Sequence, residues 1–260
     1  MKKLVLALTA LAAFTGSALA ADLPARTYTK APEPIVVPSW TGFYLFGGFG
    51  YGLWEASTTT INPITGACIL CMDQRQGGNG WYGTVGAGYD WQFGKWVAGV
   101  FADGQFGSIQ GTIQDQGPFF AGAEKLRDSY AGGARLGYLV APNVLSYVNG
   151  GYSGSQWSGV NMLGTAIGNP TGFSTPSFSR NGWFLGGGVE NSFDFFGVTA
   201  PGWFMKTEYR VAQYNKITLP DTNGLGGIAA SISFQPIVQT VSTSLVYRFN
   251  WTGAPVAAKY

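Results

Sequence analysis

The sequence predicts an all-β chain whose eight antiparallel strands close into a transmembrane barrel with short periplasmic turns and long extracellular loops. Three observations carry this. Only 11% of the 260 residues are charged, while 40 are glycine and 15% are aromatic, and a soluble domain usually carries about 25% charge. From Trp40 onward the chain is a series of segments alternating apolar and polar residues. The links between those segments are alternately short and long, as in an outer-membrane barrel.

The elements follow in order. "MKKLVLALTALAAFTGSALA" has Lys2 and Lys3, an apolar run from Leu4 to Phe14 and a small-x-small end at Ala18-Leu19-Ala20. It reads as a cleaved secretory signal over residues 1–20, too short to span a bilayer as a helix. With both lysines gone, thirteen bases face thirteen acids, so the chain carries no excess charge for nucleic acid or anionic lipid. Residues 21–39 hold Pro24, Pro32, Pro34 and Pro38 without periodicity and read as an extended periplasmic segment. Residues 40–251 are the barrel and 252–260 a C-terminal tail.

Alternating segments lie at 42–54, 80–93, 95–106, 126–140, 144–157, 181–193, 202–213 and 236–251. The second, fourth and sixth are followed by short links: "GK", "APN" and "FFGVTAPG". The other links, 55–79, 107–125, 158–180 and 214–235, read as loops that would carry any partner specificity. Successive strand residues face opposite sides. In "WFMKTEYRV", Trp203, Met205, Thr207, Tyr209 and Val211 therefore share one face, and Phe204, Lys206, Glu208 and Arg210 the other. With the strands antiparallel, Phe43, Trp91, Phe93, Trp96, Tyr138, Phe193, Trp203, Phe249 and Trp251 gather on the oily face at the turn end. Tyr51, Trp81, Phe106, Tyr130, Tyr152, Trp183 and Tyr209 gather toward the loop end. Two such girdles match the depth profile of a bilayer, so the oily face looks outward and the charges inward.

By parity the inward charges are Asp90, Asp103, Glu190 and Glu208 against Arg135, Lys206, Arg210 and Arg248. An eight-stranded barrel is just wide enough for side chains to fill, and buried charge without a partner costs several kcal/mol per ion. The balanced set therefore reads as a salt-bridged plug, and the partner of Glu208 is Arg135, Lys206, Arg210 or Arg248, with Arg135 the first choice because its guanidinium can hold a carboxylate bidentately near mid-strand. A narrow diffusion channel for small solutes is the alternative, although an ion path would have one sign dominate. A soluble ligand-binding barrel would reverse every face. The chain has no histidine, which excludes a Ser/His/acid site, and no catalytic or cofactor-binding set is apparent. Cys68 and Cys71 in "CILC" are the only cysteines. In an exported chain they read as a local loop disulfide, with a reduced or redox pair as the alternative; one C-x-x-C without histidine is too little for zinc.

"SWTGFYLFGGFGYG", "GAGYDWQFGKWVAGVFADG", "GGARLGYL", "LSYVNGGYS", "GWFLGGGVE", "KTEYR" and "LVYRFNW" resemble, in that order, the small outer-membrane β-barrel surface proteins of alphaproteobacteria. These are called porin-family or outer-membrane immunogenic proteins and are similar in architecture to the OmpA membrane domain. The resemblance covers residues 40–251. It implies outer-membrane localisation, assembly by the outer-membrane insertion machinery, contact with outer-membrane lipid and lipopolysaccharide, and a structural or cell-surface role without enzymatic activity. Such barrels usually end on an aromatic assembly signal. "LVYRFNW" resembles one, yet "TGAPVAAKY" follows, so the signal is either internal or Tyr260.

Overall fold

The computed structural model describes residues 39–115, 120–195, 198–223 and 225–249. The expected signal, most of the proline-rich segment, Asn250, Trp251 and the tail lie outside them. Eleven strands form one antiparallel sheet: β1 (Gly42–Ile61), β2 (Cys68–Phe93), β3 (Trp96–Asp115), β4 (Phe120–Ala141), β5 (Val144–Trp157), β6 (Val160–Gly164), β7 (Pro170–Thr175), β8 (Phe178–Phe195), β9 (Val198–Tyr214), β10 (Ile217–Thr222) and β11 (Ile228–Arg248). No helix occurs among the described residues.

The sheet closes twice. In the order β1-β2-β3-β4-β5-β8-β9-β11, with β11 pairing back onto β1, eight strands make the transmembrane ring. Beyond the outer girdle β5 ends at Trp157 and β9 at Tyr214. There β6, β7 and β10 enter instead, through β4–β6, β6–β7, β7–β10 and β10–β11 pairings. A second ring, β1-β2-β3-β4-β6-β7-β10-β11, therefore stands on the first and also has eight strands. Segments expected as loops are largely strand, which corrects the sequence reading. Thr58, Thr60, Ile109, Ile113, Leu219, Ile232 and Phe234 are buried and need a closed interior. Their chain neighbours are Ser, Thr and Gln, with Ile61 and Pro220 besides, and Ser, Thr and Pro resemble turn chemistry when read alone.

On the outer face the two girdles are in place. Phe43, Trp91, Phe93, Trp96, Tyr138, Trp203 and Phe249 are exposed at the turn end, and Tyr51, Trp81, Phe106, Tyr130, Tyr152, Trp183 and Tyr209 at the other. Leu45, Val85, Val100, Leu136, Val148, Leu185, Val189 and Leu245 are exposed between them. Phe193 is half-buried. The turn-end links are Gly94-Lys95, Pro142-Asn143 and residues 196–197, the last outside the described set. Gly94 adopts φ +64, a left-handed conformation that favours glycine.

Candidate functional site: the barrel interior

Inward-facing side chains fill the transmembrane ring in layers. At the periplasmic end Trp40, which precedes β1, is buried across the mouth. Its amide donates to Gln92 Oε1 at 2.8 Å, its indole Nε1 donates to the Pro142 carbonyl at 3.2 Å, and its ring lies 5.0 Å from that of Phe204. Its own carbonyl accepts from Arg248 Nη1 at 3.3 Å.

Above Trp40 four charges form a closed circuit. Arg135 Nε donates to Asp90 Oδ1 at 2.9 Å, and a second, shorter contact joins Arg135 Nη2 to Asp90 Oδ2. Arg135 Nη1 donates to Glu190 Oε2 at 3.0 Å. Arg248 Nε reaches Glu190 Oε1 and its Nη1 reaches Asp90 Oδ2, both at 2.8 Å. Tyr44 lies against the circuit, its ring centre 4.4 Å from the Arg135 guanidinium and 4.8 Å from that of Arg248. The register explains how Asp90 and Arg135, two strands apart, can meet: Gly99 of β3 stands between them, opposite both. A Cβ there would collide with the Asp90 carboxylate.

The next layer is a chain of four. Arg210 holds Asp103 bidentately, at 3.0 and 2.8 Å. It also donates to Glu208 Oε1 from Nε at 3.1 Å and Nη2 at 2.8 Å. Glu208 Oε2 accepts from Tyr147 Oη and Asn149 Nδ2, both at 2.8 Å, and lies 3.9 Å from Lys206 Nζ. Lys206 rests 3.3 Å from the centre of the Phe46 ring, and the Arg210 guanidinium 4.5 Å from that of Phe184, close enough for cation–π attraction. Here too glycines make room. Gly186 and Gly188 of β8 stand between Tyr147 and Asn149 of β5 on one side and Glu208 and Arg210 of β9 on the other. Lacking side chains, they let the phenol and the amide reach Glu208 across the strand.

All eight inward charges named from the sequence are buried in these two clusters. The partner expected for Glu208 is corrected: Arg210 holds it, while Arg135 serves Asp90 and Glu190. β4 and β9 stand three strands apart around the ring, and parity alone says nothing of register. Of the interior phenylalanines the sequence reading places only Phe204 on the inward face. Phe46, Phe101 and Phe184 also occupy the inward parity of their strands, so alternation would have found them.

The second ring has a different interior. Trp54, Trp157, Phe178 and Phe234 pack together, with centroid separations of 5.5 to 5.9 Å. Ile113, Val160, Met162, Leu219 and Ile232 are buried with them. Glu124 lies fully buried in the same ring, six positions along β4 beyond the girdle residue Tyr130. Its Oε1 accepts from the Lys125 amide at 3.1 Å, and Oε2 has no hydrogen-bond partner. Burial pushes this carboxyl up to about 8. Cys68, at the outer end of β2, is disulfide-bonded, and the chain has one other cysteine, Cys71.

Neither a protein-family model nor a curated protein sequence matches the chain. Its likeness to solved structures is one of shape. The outer membrane protein OprG of Pseudomonas aeruginosa matches with a TM-score of 0.53 and 10% identity over 82% of this chain and 99% of its own. Ail, the attachment invasion locus protein of Yersinia pestis, matches at 0.40 and 14% over 80% and 99%. The outer membrane protease OmpT of Escherichia coli matches at 0.42 and 10% over 80% and 97%. The chain has the fold of an eight-stranded outer-membrane barrel.

Proposed function

We propose that the protein is an integral protein of the bacterial outer membrane with a structural and cell-surface role, exported by a signal cleaved after Ala20, its barrel closed by its own side chains. The single observation that carries this reading is the balanced interior. Four carboxylates and four bases satisfy one another at 2.7 to 3.9 Å, beside the shorter Asp90–Arg135 contact. Within the transmembrane ring neither sign is in surplus, whereas ion selectivity rests on rings of one sign. The band of exposed Leu and Val between two aromatic girdles supports a bilayer as the surrounding medium. Outer-membrane lipid and lipopolysaccharide are then its immediate neighbours, and insertion requires the outer-membrane assembly machinery. No enzymatic or cofactor chemistry is part of this proposal. Joined Cys68 and Cys71 would close the outer end of the first hairpin, and mass spectrometry of non-reduced peptides reads that pairing. The test of the whole proposal is cell fractionation followed by gel migration with and without boiling. Outer-membrane recovery with a heat-dependent shift in mobility is expected. Recovery in the soluble periplasm would overturn it.

A further inference from the structure

Three turns at the distal pole share a left-handed glycine, and two of them an Asn side chain that accepts from turn amides. In the β1–β2 turn, Asn62 Oδ1 accepts from the amides of Ile64 at 2.9 Å and Thr65 at 3.1 Å, and Gly66 adopts φ +67. In the β6–β7 turn the Gly168 amide donates to the Gly164 carbonyl at 2.8 Å, with Gly168 at φ +68. In the β10–β11 turn, Asn223 Oδ1 accepts from the amides of Leu225 at 3.1 Å and Gly227 at 2.8 Å, and Gly226 adopts φ +81. Each turn holds an aliphatic side chain out into solvent one or two residues before its left-handed glycine: Ile64 92% exposed, Ile167 76% and Leu225 97%. In the second ring β1, β11, β10 and β7 are consecutive neighbours, so the three turns occupy one stretch of rim.

Turn apices in water are ordinarily polar, and an aliphatic held there loses the burial that would favour it. The surrounding sequence sharpens the point, since residues 56–72, 158–179 and 222–247 contain no charged residue. In the β1–β2 turn the amides of Asn62, Ile64, Thr65, Gly66 and Ala67 are bonded inside the turn, as are those of Asn223, Leu225, Gly226 and Gly227 in the β10–β11 turn, while in the β6–β7 turn those of Gly164 and Gly168 are. The tips that carry Ile64 and Leu225 can therefore leave water without stranding these donors, which is the condition for entering a lipid environment. Separate single aliphatics on rigid turns suit a medium that is apolar wherever it is probed. A protein partner would need a pocket for each, and a charged partner finds nothing here to pair with.

We propose that this rim docks onto a lipid bilayer apposed to the cell surface, with Ile64, Ile167 and Leu225 inserting below its headgroups. The proposal rests on the outer-membrane reading, which places the rim farthest from the protein's own membrane. The full chain, reconstituted in nanodiscs, is mixed with phosphatidylcholine vesicles and separated by flotation. Wild type should float with the vesicles at low and high salt alike, and I64S/I167S/L225S should lose about tenfold or more of the binding. A polarity-sensitive dye on Leu225→Cys should report an apolar environment only when vesicles are present. Equal flotation of wild type and triple variant would overturn docking, as would loss of binding at high salt. So would self-association of the detergent-solubilised chain, with no bilayer present, that the triple variant abolishes, for the occupant would then be a second copy. A chain that fails to insert into nanodiscs with a heat-dependent gel shift overturns the outer-membrane reading as well. One that inserts and ignores vesicles overturns docking alone.

Discussion

Glu208 accepts from Arg210, Tyr147 and Asn149 while only 5% exposed, so its removal takes the carboxylate from Lys206 and leaves Arg210 with Asp103 alone, between low-dielectric walls. Glu208→Leu is expected to cost about 3 to 5 kcal/mol, read by urea unfolding of the refolded barrel in detergent. Combined with Arg210→Met, it should show a coupling of about 0.5 to 3 kcal/mol, well above that with Arg135→Met. A larger coupling to Arg135 would mean that the observed pairing is wrong. Glu124 makes the opposite demand. Its folded carboxyl, raised from 4.5 to about 8, stays protonated while the unfolded one ionises, so the folded state binds the extra proton. Stability is then greatest below about pH 4.5 and declines up to about pH 8, by at most about 1.4 kcal/mol per unit. Glu124→Gln should flatten that slope and raise stability at pH 8. An unchanged slope would place the dependence elsewhere.

At the scale of the strand, the alternation of apolar and polar residues made the transmembrane segments legible, because one face meets lipid and the other a polar interior. It failed beyond the outer girdle, where "STTTI" offers little oily outer face and "SISFQ" buries Ser231 and Ser233 along with Ile232 and Phe234. Register was not legible, since parity fixes the face a residue takes and not the residue it stands opposite on the neighbouring strand. Glycine positions illustrate the difference. Gly83 and Gly151 look alike in sequence, yet a Cβ at Gly83 would meet its nearest atom at 3.8 Å, while one at Gly151 would overlap the Gly132 carbonyl across the β4–β5 pair. Gly151→Ala should therefore cost about 1 to 3 kcal/mol, and Gly83→Ala should lie within about 0.5 kcal/mol of wild type. Equal effects in unfolding titrations would show that the wall is not packed as described.

Across the whole molecule the lumen is obstructed at successive depths: Trp40 at the periplasmic mouth, the two charge clusters within the bilayer, and the Trp54/Trp157/Phe178/Phe234 group in the outer ring. Obstructions in series have a consequence that a single gate lacks, because opening one leaves the others closed. Wild type in planar bilayers should give no steady conductance, and neither should Trp40→Ala, the charge-balanced pair E208A/R210A, or the pair W54A/W157A taken alone. Each tryptophan truncation is expected to cost about 3 to 5 kcal/mol, so retention of the heat-dependent gel shift must accompany every recording. Combining all three sets with a second charge-balanced pair, R135A/E190A in the circuit above Trp40, removes an obstruction at each depth while keeping net charge unchanged, and only that variant should conduct. Steady current through wild type would favour the channel reading that the balanced interior argues against. Full opening by one set alone would mean that a single layer, and not the series, closes the barrel.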